Sequence, residues 1–483
     1  MIPDADTCYA ALRARDARFD GRFYVGVVTT GIYCRPICAA RTPKRENVRF
    51  YATAAGASAA GLRACRRCRP DTVPGSRNWD HSGDLAQRAL RLIGSGFADE
   101  VGVAGLAGHL FVSERQLRRV VLQRSGATPK QLIQTRRAQT ARLLIDQTTM
   151  TMAEVSLTAG FGSLRQFNEV IQQEFGASPT DLRRSTGPHR RTGNRDDQVP
   201  QRSRISLRLA HRDPYGHDLI LRWWARHAIA GMDSVGSSTV ATRFANGDEV
   251  AVRFVTSGLQ VEVDLADITT LPDHIATLRA AFDLDAQPAA IGEALAADPH
   301  VAPLVAASPG LRVPAALDPW RGAAMAVLGQ QVSVAAATGL GARLAAHLGD
   351  PTRFPGPARV CEAGAESIGK HVRMPRTRAA ALVELATLVG AGEVDLGPAA
   401  DREAVQGRLL QVRGIGPWTA AEIRLRALRD PDVWPAGDVV LARAARELGG
   451  VDPGSARPWR SYLAHHLWAF AHDRTPPRKE AAR

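Results

Sequence analysis

No apolar run in the 483-residue chain approaches the roughly 18–20 residues that a membrane-spanning helix requires. The opening residues, Met-Ile-Pro-Asp-Ala-Asp, hold neither a basic stretch nor an apolar core, so no secretory signal is read there. Cysteine is scarce: there are 6 in all, too few for a disulfide-built scaffold of this length. Carboxylates are in deficit, with 48 Asp+Glu against 62 Lys+Arg and a formal charge of +14. The apolar fraction of 45% and the charged fraction of 23% exclude a disordered or collagen-like chain. The expectation is a cytoplasmic, nucleoid-associated protein of three or four domains with no membrane partner. Its surplus of positive charge points to a polyanion, above all double-stranded DNA. A soluble enzyme with a basic surface is the alternative on charge alone.

Four of the six cysteines form two close pairs. Cys34 and Cys38 are separated by three residues, Cys65 and Cys68 by two, and the pairs by 26. In a reducing compartment two such pairs read as one four-thiolate zinc site. Cys8 and Cys361 stand alone and read as packing residues. Arginine crowds the pairs at Arg35, Arg41, Arg66 and Arg67. These four are expected to face a DNA backbone.

The run Thr29-Thr-Gly-Ile-Tyr-Cys34-Arg-Pro-Ile-Cys38-Ala-Ala-Arg41, followed by Cys65-Arg-Arg-Cys68-Arg-Pro70, resembles the N-terminal domain of the Ada adaptive-response proteins. The resemblance implies that the four cysteines bind one zinc ion. It implies that Cys34 also accepts a methyl group from DNA methylphosphotriesters, once per molecule. It further implies that Thr30 and Arg41 lie near the DNA backbone. The chemistry is self-consistent. Metal keeps the sulfur ionised, and a methyl triester is neutral at phosphorus, so it does not repel the thiolate.

From about Asp80 the texture becomes helical, and a repeat appears at an offset of 50 residues. Ser113-Glu-Arg-Gln-Leu-Arg-Arg-Val-Val closes at Gly126-Ala-Thr-Pro129, and Ser163-Leu-Arg-Gln-Phe-Asn-Glu-Val-Ile closes at Gly176-Ala-Ser-Pro179. Each copy begins with Ser followed three residues later by Gln, a capping-box start. A shorter helix precedes each, at Val103–Leu110 and Met152–Ala159. Helix, turn, helix, occurring twice, resembles the AraC-type DNA-binding domain. The second helix of each unit is expected in the major groove, presenting Arg115, Arg118 and Arg119 in one copy and Arg165, Gln166 and Asn168 in the other. A solvated helix face is the alternative for each residue. Thr186–Arg204, rich in Arg, Asp, Gln, Gly and Pro, reads as a flexible linker.

Alternating patches at Ile205–Leu209 and Glu249–Val255, with helices around Leu219–Ile229 and Pro272–Phe282, indicate a small α+β module. Beyond Asp298 the chain reads as almost all helix. Within it, Leu409-Leu-Gln-Val-Arg-Gly414-Ile-Gly416-Pro-Trp418 reads as a hairpin between helices, whose backbone N–H groups suit a DNA phosphate. With Gly329-Gln-Gln-Val-Ser-Val334, Asp438 after Trp434-Pro-Ala-Gly, and Trp459 to Trp468, it resembles the AlkA-type 3-methyladenine DNA glycosylases of the helix-hairpin-helix superfamily.

That resemblance implies a flipped alkylated base, hydrolysis of its N-glycosidic bond, and Asp438 as the catalytic carboxylate. A helix N-cap alone is the alternative for Asp438, and the two roles are compatible. Trp418 stands where bifunctional relatives carry a Schiff-base Lys, which implies a monofunctional hydrolase. Trp418 and Trp468 are the candidate walls of the base pocket; core tryptophan is their alternative. Gln331 stands where such enzymes carry a Leu wedge. No four-cysteine cluster follows the hairpin, so no iron–sulfur cluster is expected.

The resulting expectation is a mostly α, multidomain α+β protein. Residues 1–78 form a zinc methyl-acceptor domain, 80–185 the tandem helix-turn-helix, 186–204 a linker, 205–287 an α+β domain and 288–475 the glycosylase domain. Its role is alkylation repair joined to regulation of the adaptive response, with RNA polymerase as a partner in activation. The alternative is a transcriptional activator whose glycosylase-like half is catalytically silent and only binds DNA.

Overall fold

The computed structural model describes residues 4–15, 23–38, 40–65, 67–68, 70, 81–185, 202–398 and 400–473. By compactness the chain divides into two units, Met1–Ala89 with Val112–Ala127, and Leu90–Phe111 with Thr128–Arg483. Among the described residues no helix is long and apolar enough to cross a membrane.

The first unit opens with α1 (Ala5–Ala14), whose N-cap Asp4 accepts from the backbone N–H groups of Asp6 and Thr7. This helix buries Cys8, Ala11 and Leu12 against Phe23, Val25 and Val48. Beneath it lies a four-stranded sheet of β1 (Tyr24–Val27), β2 (Ile32–Cys34), β3 (Val48–Tyr51) and β4 (Arg63–Ala64), in the order β3-β1-β2-β4. α2 (Ala54–Ala59) connects β3 to β4. Strands β2 and β4 run parallel, with Ile32 opposite Arg63 and Tyr33 opposite Ala64. Parallel pairing brings both C-terminal ends to one edge, and each end carries a cysteine pair.

The repeat folds as helix-turn-helix. α3 (His81–Ser95) and α4 (Phe97–His109) precede α5 (Glu114–Ser125); α6 (Pro129–Gln147) leads to α7 (Met152–Thr158), α8 (Leu164–Phe175) and α9 (Pro179–Ser185). Gly102, at φ 66, breaks α4, so its second part matches the expected shorter helix. Ser113 and Ser163 cap α5 and α8 by accepting from the backbone N–H of Gln116 and Gln166. The reciprocal half of the capping box is not made. Gln166 Oε1 instead accepts from Gly162 N at 3.3 Å. Gly126 (φ 76) and Gly176 (φ 69) end the two helices in the left-handed region, where glycine carries no Cβ penalty.

The α+β module is an antiparallel sheet of β5 (Ser203–Leu209), β6 (Ser234–Val235), β7 (Thr239–Arg243), β8 (Glu249–Val255) and β9 (Gly258–Leu265), in the order β5-β9-β8-β7-β6. α10 (His217–His227) and α11 (Leu271–Ala281) flank it. The alternation in β8 turns Val250, Val252 and Phe254 inward. The strand takes in Ser203 and Arg204, so the linker expected over 186–204 stops short of them. Residues 186–201 lie outside the described residues. The second helix-turn-helix is nonetheless joined to this module. Gln147 at the end of α6 receives Arg208 N at 2.5 Å and donates to Arg208 O at 3.1 Å. Ile145, Phe167 and Ile171 share one apolar core with Leu209, Trp224 and Val261.

The rest is helical: α12 (Pro288–Ala296), α13 (Ala302–Ala307), α14 (Pro319–Leu328), α15 (Val334–His347), α16 (Pro357–Val372), α17 (Arg376–Gly390), α18 (Arg402–Leu409), α19 (Pro417–Arg426), α20 (Val439–Glu447) and α21 (Arg460–Asp473). One core joins α14 to α19. A second joins α12, α13, α20 and α21. Between them opens a cleft.

Gly258 begins β9 at φ 152, and a Cβ there would stand 2.5 Å from Leu209 O on the neighbouring strand. Gly258→Ala is expected to cost on the order of 1–3 kcal/mol. A denaturant midpoint unchanged from that of the parent chain, followed by far-ultraviolet circular dichroism, would contradict this.

Candidate functional sites: a thiolate cluster and a helix-lined cleft

Cys34 ends β2, and Cys38 follows in a turn closed by Cys38 N to Arg35 O at 3.1 Å. Cys65 follows β4, its N–H bonded to Tyr33 O at 3.0 Å. The four sulfurs lie within 4.8 Å of one another. A tetrahedron with Zn–S bonds of about 2.3 Å has edges of about 3.8 Å, so the cluster fits a four-thiolate metal centre. Packed together without a cation, the sulfurs resist ionising jointly. Hydrogen bonding with Cys38 and Cys68, then burial, drives the Cys34 thiol far above its ordinary value. A dication resolves that conflict.

Cys34 and Cys38 form the more buried pair, 9% and 6% exposed. Arg35 departs from its expected place on the DNA-facing surface. It is buried, its N–H points to Cys68 Sγ at 3.4 Å, and Nη1 bonds Cys68 O at 3.4 Å. The backbone N–H thus meets a sulfur, and the guanidinium meets the carbonyl of the same cysteine. Arg41 and Arg67 are exposed, as is Thr30 in the turn between β1 and β2. Arg66 lies outside the described residues.

On α5, Arg115, Arg118 and Arg119 are exposed while Leu117, Val120 and Val121 are buried. On α8, Arg165 and Asn168 are exposed, Gln166 is half-buried, and Phe167, Val170 and Ile171 are buried. Arg165 is held by Glu169 at 2.9 Å, one turn along the same exposed face. The polar triplets therefore stand on the solvent sides of the two second helices.

The cleft has a volume of about 1340 Å³ and brings together Trp418, Asp438, Trp468 and Gln331. Asp438 caps α20. Its Oδ1 accepts from Val440 N and Leu441 N, both at 2.9 Å, and its Oδ2 accepts from Trp418 Nε1 at 3.1 Å. The N-cap and the cleft carboxylate are thus one residue. Three donors thus hold both carboxylate oxygens in place.

The hairpin runs from α18 through Gly414, at φ 95, to Gly416, the N-cap of α19. Ile415 between the glycines is buried, anchoring the loop. Gln330, which the sequence did not single out, fixes this hairpin by donating to Gly414 O at 2.7 Å and Thr419 Oγ1 at 3.0 Å. Its neighbour Gln331 is exposed, at φ 55. A left-handed backbone is costly for a residue with a Cβ. Here it leaves Gln331 exposed while still lining the cleft.

Glu422 and Arg426 were also missed, although they follow Trp418 at intervals of four on α19. Arg426 Nε donates to Glu422 Oε2 at 3.3 Å, and Arg426 Nη1 contacts His465 Nε2 at 3.0 Å. The Arg426 guanidinium lies 5.1 Å from the Trp223 ring centre and 5.5 Å from that of Trp468. Burial, and then the Asp438 charge, push the Glu422 carboxyl up, against the opposing pull of Arg426. Burial and then Arg426 hold His465 well below, and His227 down at about 3, so both imidazoles are neutral at pH 7.

The named "Probable bifunctional transcriptional activator/DNA repair enzyme AlkA" of Mycobacterium tuberculosis is 37% identical over 506 residues, covering all of both chains. This chain belongs to that family. Three domain models match within it: the metal binding domain of Ada over residues 7–71, a helix-turn-helix domain over 106–185 and the AlkA N-terminal domain over 206–318. The family's three parts thus fall on the thiolate cluster, the repeat and the α+β module. DNA-3-methyladenine glycosylase 2 of Escherichia coli is 30% identical over 274 residues, covering 53% of this chain and 94% of its own length. The bifunctional transcriptional activator/DNA repair enzyme Ada of Escherichia coli is 34% identical over 178 residues, covering 37% of this chain and 49% of itself. Asp438, Trp418 and Trp468 lie beyond the last matched domain model.

The cluster geometry leads to a direct expectation. Purified protein should carry one zinc per chain by elemental analysis, and Cys65→Ala/Cys68→Ala should reduce this to background. Full zinc in that variant would rule out the four-thiolate site.

Proposed function

We propose that this chain senses and repairs alkylated DNA, joining a methyl-accepting thiolate, a promoter-binding helix-turn-helix pair and a base-excising cleft. The observation that carries the enzymatic half is Asp438. A carboxylate locked by two backbone N–H groups and an indole N–H faces a cleft large enough for a purine and walled by Trp418 and Trp468.

In this reading an alkylated purine is flipped into the cleft and stacks on the tryptophans. Alkylation makes the base cationic and a good leaving group. The bond from C1′ to nitrogen breaks, the electron pair leaves with the base, and positive charge develops on the sugar. Asp438 stabilises that charge and orients water for attack at C1′, whose proton passes to solvent. Its capping bonds hold it in place, so little reorganisation is needed. No lysine stands at Trp418, and the reading is accordingly hydrolytic and monofunctional. Gly414, Gly416 and the N-terminus of α19 would hold a DNA phosphate, with Gln331 filling the gap left by the base.

At the other site Cys34 is the nucleophile. Its sulfur attacks the methyl carbon of a phosphotriester, the O–CH₃ bond breaks, and a phosphodiester anion leaves. Bound zinc would supply the ionised state of the thiolates. The thioether product has no return path, so one chain accepts one methyl group. Thr30, Arg41 and Arg67 would meet the DNA backbone. Arg115, Arg118, Arg119, Arg165, Gln166 and Asn168 would read or position promoter DNA, with RNA polymerase recruited there.

Cys34 and Asp438 belong to different compact units, so the two chemistries should separate. Asp438→Asn is expected to lower release of 3-methyladenine from alkylated DNA by at least ~10²-fold. Methyl transfer to Cys34, read by peptide mass spectrometry, should be unchanged. Parallel loss of both in a folded variant would sink the modular reading, and base release by Asp438→Asn at the parental rate would sink the assignment of Asp438.

Methylation should also act as a switch. Zinc with four thiolates carries −2; a thioether at Cys34 leaves −1. Near a phosphate at ~4–8 Å and an effective dielectric of ~20, one unit charge is worth ~2–4 kcal/mol before screening. A Debye length of ~8 Å leaves part of this at physiological salt, and ~1.4 kcal/mol is already tenfold in affinity. Promoter DNA is therefore expected to bind more tightly after reaction with methylphosphotriester DNA, most clearly at low salt. Equal or weaker binding across a salt series would leave Cys34 a repair nucleophile alone.

A further inference from the structure

The cleft holds more positive charge than a cationic base should tolerate. Among the described residues, seven arginines line it against three carboxyls, Asp318, Glu422 and Asp438; Arg243 and Arg321 are paired outside the lining with Glu249 and Asp233, and the other five still outnumber the three. Such a surface suits phosphates, whereas a purine alkylated on a ring nitrogen carries positive charge itself. Arg426 is the sharpest case. It is only 12% exposed, lies between Trp223 and Trp468, and shares its helix face with Trp418. An unbalanced guanidinium there would repel the base at the place where it must stack.

Glu422 stands between the two. Residues 418, 422 and 426 rise along one face of α19 at intervals of about 6 Å. Only Oε2 of Glu422 has a hydrogen-bond partner among the described residues, Arg426. Its carboxyl lines the cleft and is not used by the hydrolysis derived above. His465 and His227 cannot share the task, because an imidazole carries no negative charge in either protonation state. Asp438 is committed to Trp418 and to the α20 backbone. Asp318 is committed to capping α14 through Trp320 N at 2.9 Å.

We propose that Glu422 is a specificity-determining residue of the cleft, cancelling the Arg426 charge so that a positively charged purine can enter, with its free oxygen accepting from N–H groups on the base edge. This rests on the base-excision reading and adds a charge requirement to it. The reasoning is that of any buried pair: removing one partner leaves the other uncompensated, whereas removing both restores neutrality. A merely structural pair would show that pattern in thermal stability alone, and not in base release by variants that unfold at the parental temperature.

The test uses the full-length zinc-loaded protein and a duplex carrying a single 7-methylguanine, a base that is cationic within DNA. Single-turnover release is measured for the parent chain, Glu422→Gln and Glu422→Gln/Arg426→Gln, with thermal unfolding followed in parallel. Glu422→Gln is expected to slow release by about tenfold or more, equivalent to ~1.4 kcal/mol. The double variant is expected to regain most of that loss.

Release by Glu422→Gln within about threefold of the parent overturns the proposal. So does a folded double variant that stays as slow as the single one. Should Glu422→Gln fail to fold, the double variant decides: release below about one tenth of the parental rate counts against charge cancellation. Failure of the parent chain to release any alkylated base would instead overturn the base-excision reading, and this inference with it.

Discussion

Helix α19 must serve two environments at once, and the catalytic half of the molecule is arranged around that constraint. At 3.6 residues per turn one stripe of the helix, Ala420, Ile423 and Ala427, enters the core shared by α14 to α19. The opposite stripe, Trp418, Glu422 and Arg426, faces the cleft. The hairpin fixes the start of the helix, Gln330 fixes the hairpin, and Trp418 fixes Asp438. A shift of α19 by one residue would rotate each cleft side chain by about 100°, breaking the indole bond to Asp438 and the pairing of Arg426 within the cleft. The apolar packing on the far side therefore sets the position of the carboxylate proposed to react.

The zinc-site unit meets a different constraint. Its sheet has strands of two to four residues, and its buried clusters are small. Domains of this size seldom bury enough surface to be stable without a cross-link or metal. Parallel pairing of β2 and β4 gathers four sulfurs whose joint ionisation is prohibitive until a dication binds. Fold and metal then stabilise each other. The nucleophile proposed for Cys34 would then need no neighbouring general base, and none is among its hydrogen-bond partners in the described residues.

Much of this was legible in the sequence because the signals are local. Two cysteine pairs, a 50-residue repeat with Ser starts and Gly ends, and a Gly-Ile-Gly hairpin each spell out a short-range geometry. What escaped depends on distant contacts. Arg35 was expected to face DNA, yet it is buried against Cys68, where its backbone N–H meets the sulfur and its guanidinium the carbonyl. The Ser113 and Ser163 caps formed, but Gln166 turned to Gly162 because the preceding glycine turn offered a free N–H. Gln147 meets Arg208 across 61 positions of sequence, and no local pattern announces such a pairing. Glu422 and Arg426 had a detectable signal, the i, i+4, i+8 spacing from Trp418. Charged residues on a helix usually mark its solvent face, and that expectation masked them.

The charge of the whole molecule and the charge of its sites work in opposite senses. A surplus of +14 attracts a polyanion over nanometres and is screened by salt. Both proposed reactions proceed through species that such a field does not help. The phosphotriester is neutral at the reacting phosphate, and the alkylated purine is cationic. At the proposed reacting atoms negative groups accordingly stand within a basic protein: a cluster of four sulfurs in one unit, Asp438 with the Glu422–Arg426 pair in the other. Long-range attraction can thus be strong enough to hold undamaged DNA without repelling the damaged group, provided that each local positive charge is matched within a few ångströms. On this argument a substitution that removes an exposed arginine and one that removes a cleft carboxyl weaken different steps: the first weakens DNA association and its salt dependence, the second acceptance of the flipped base.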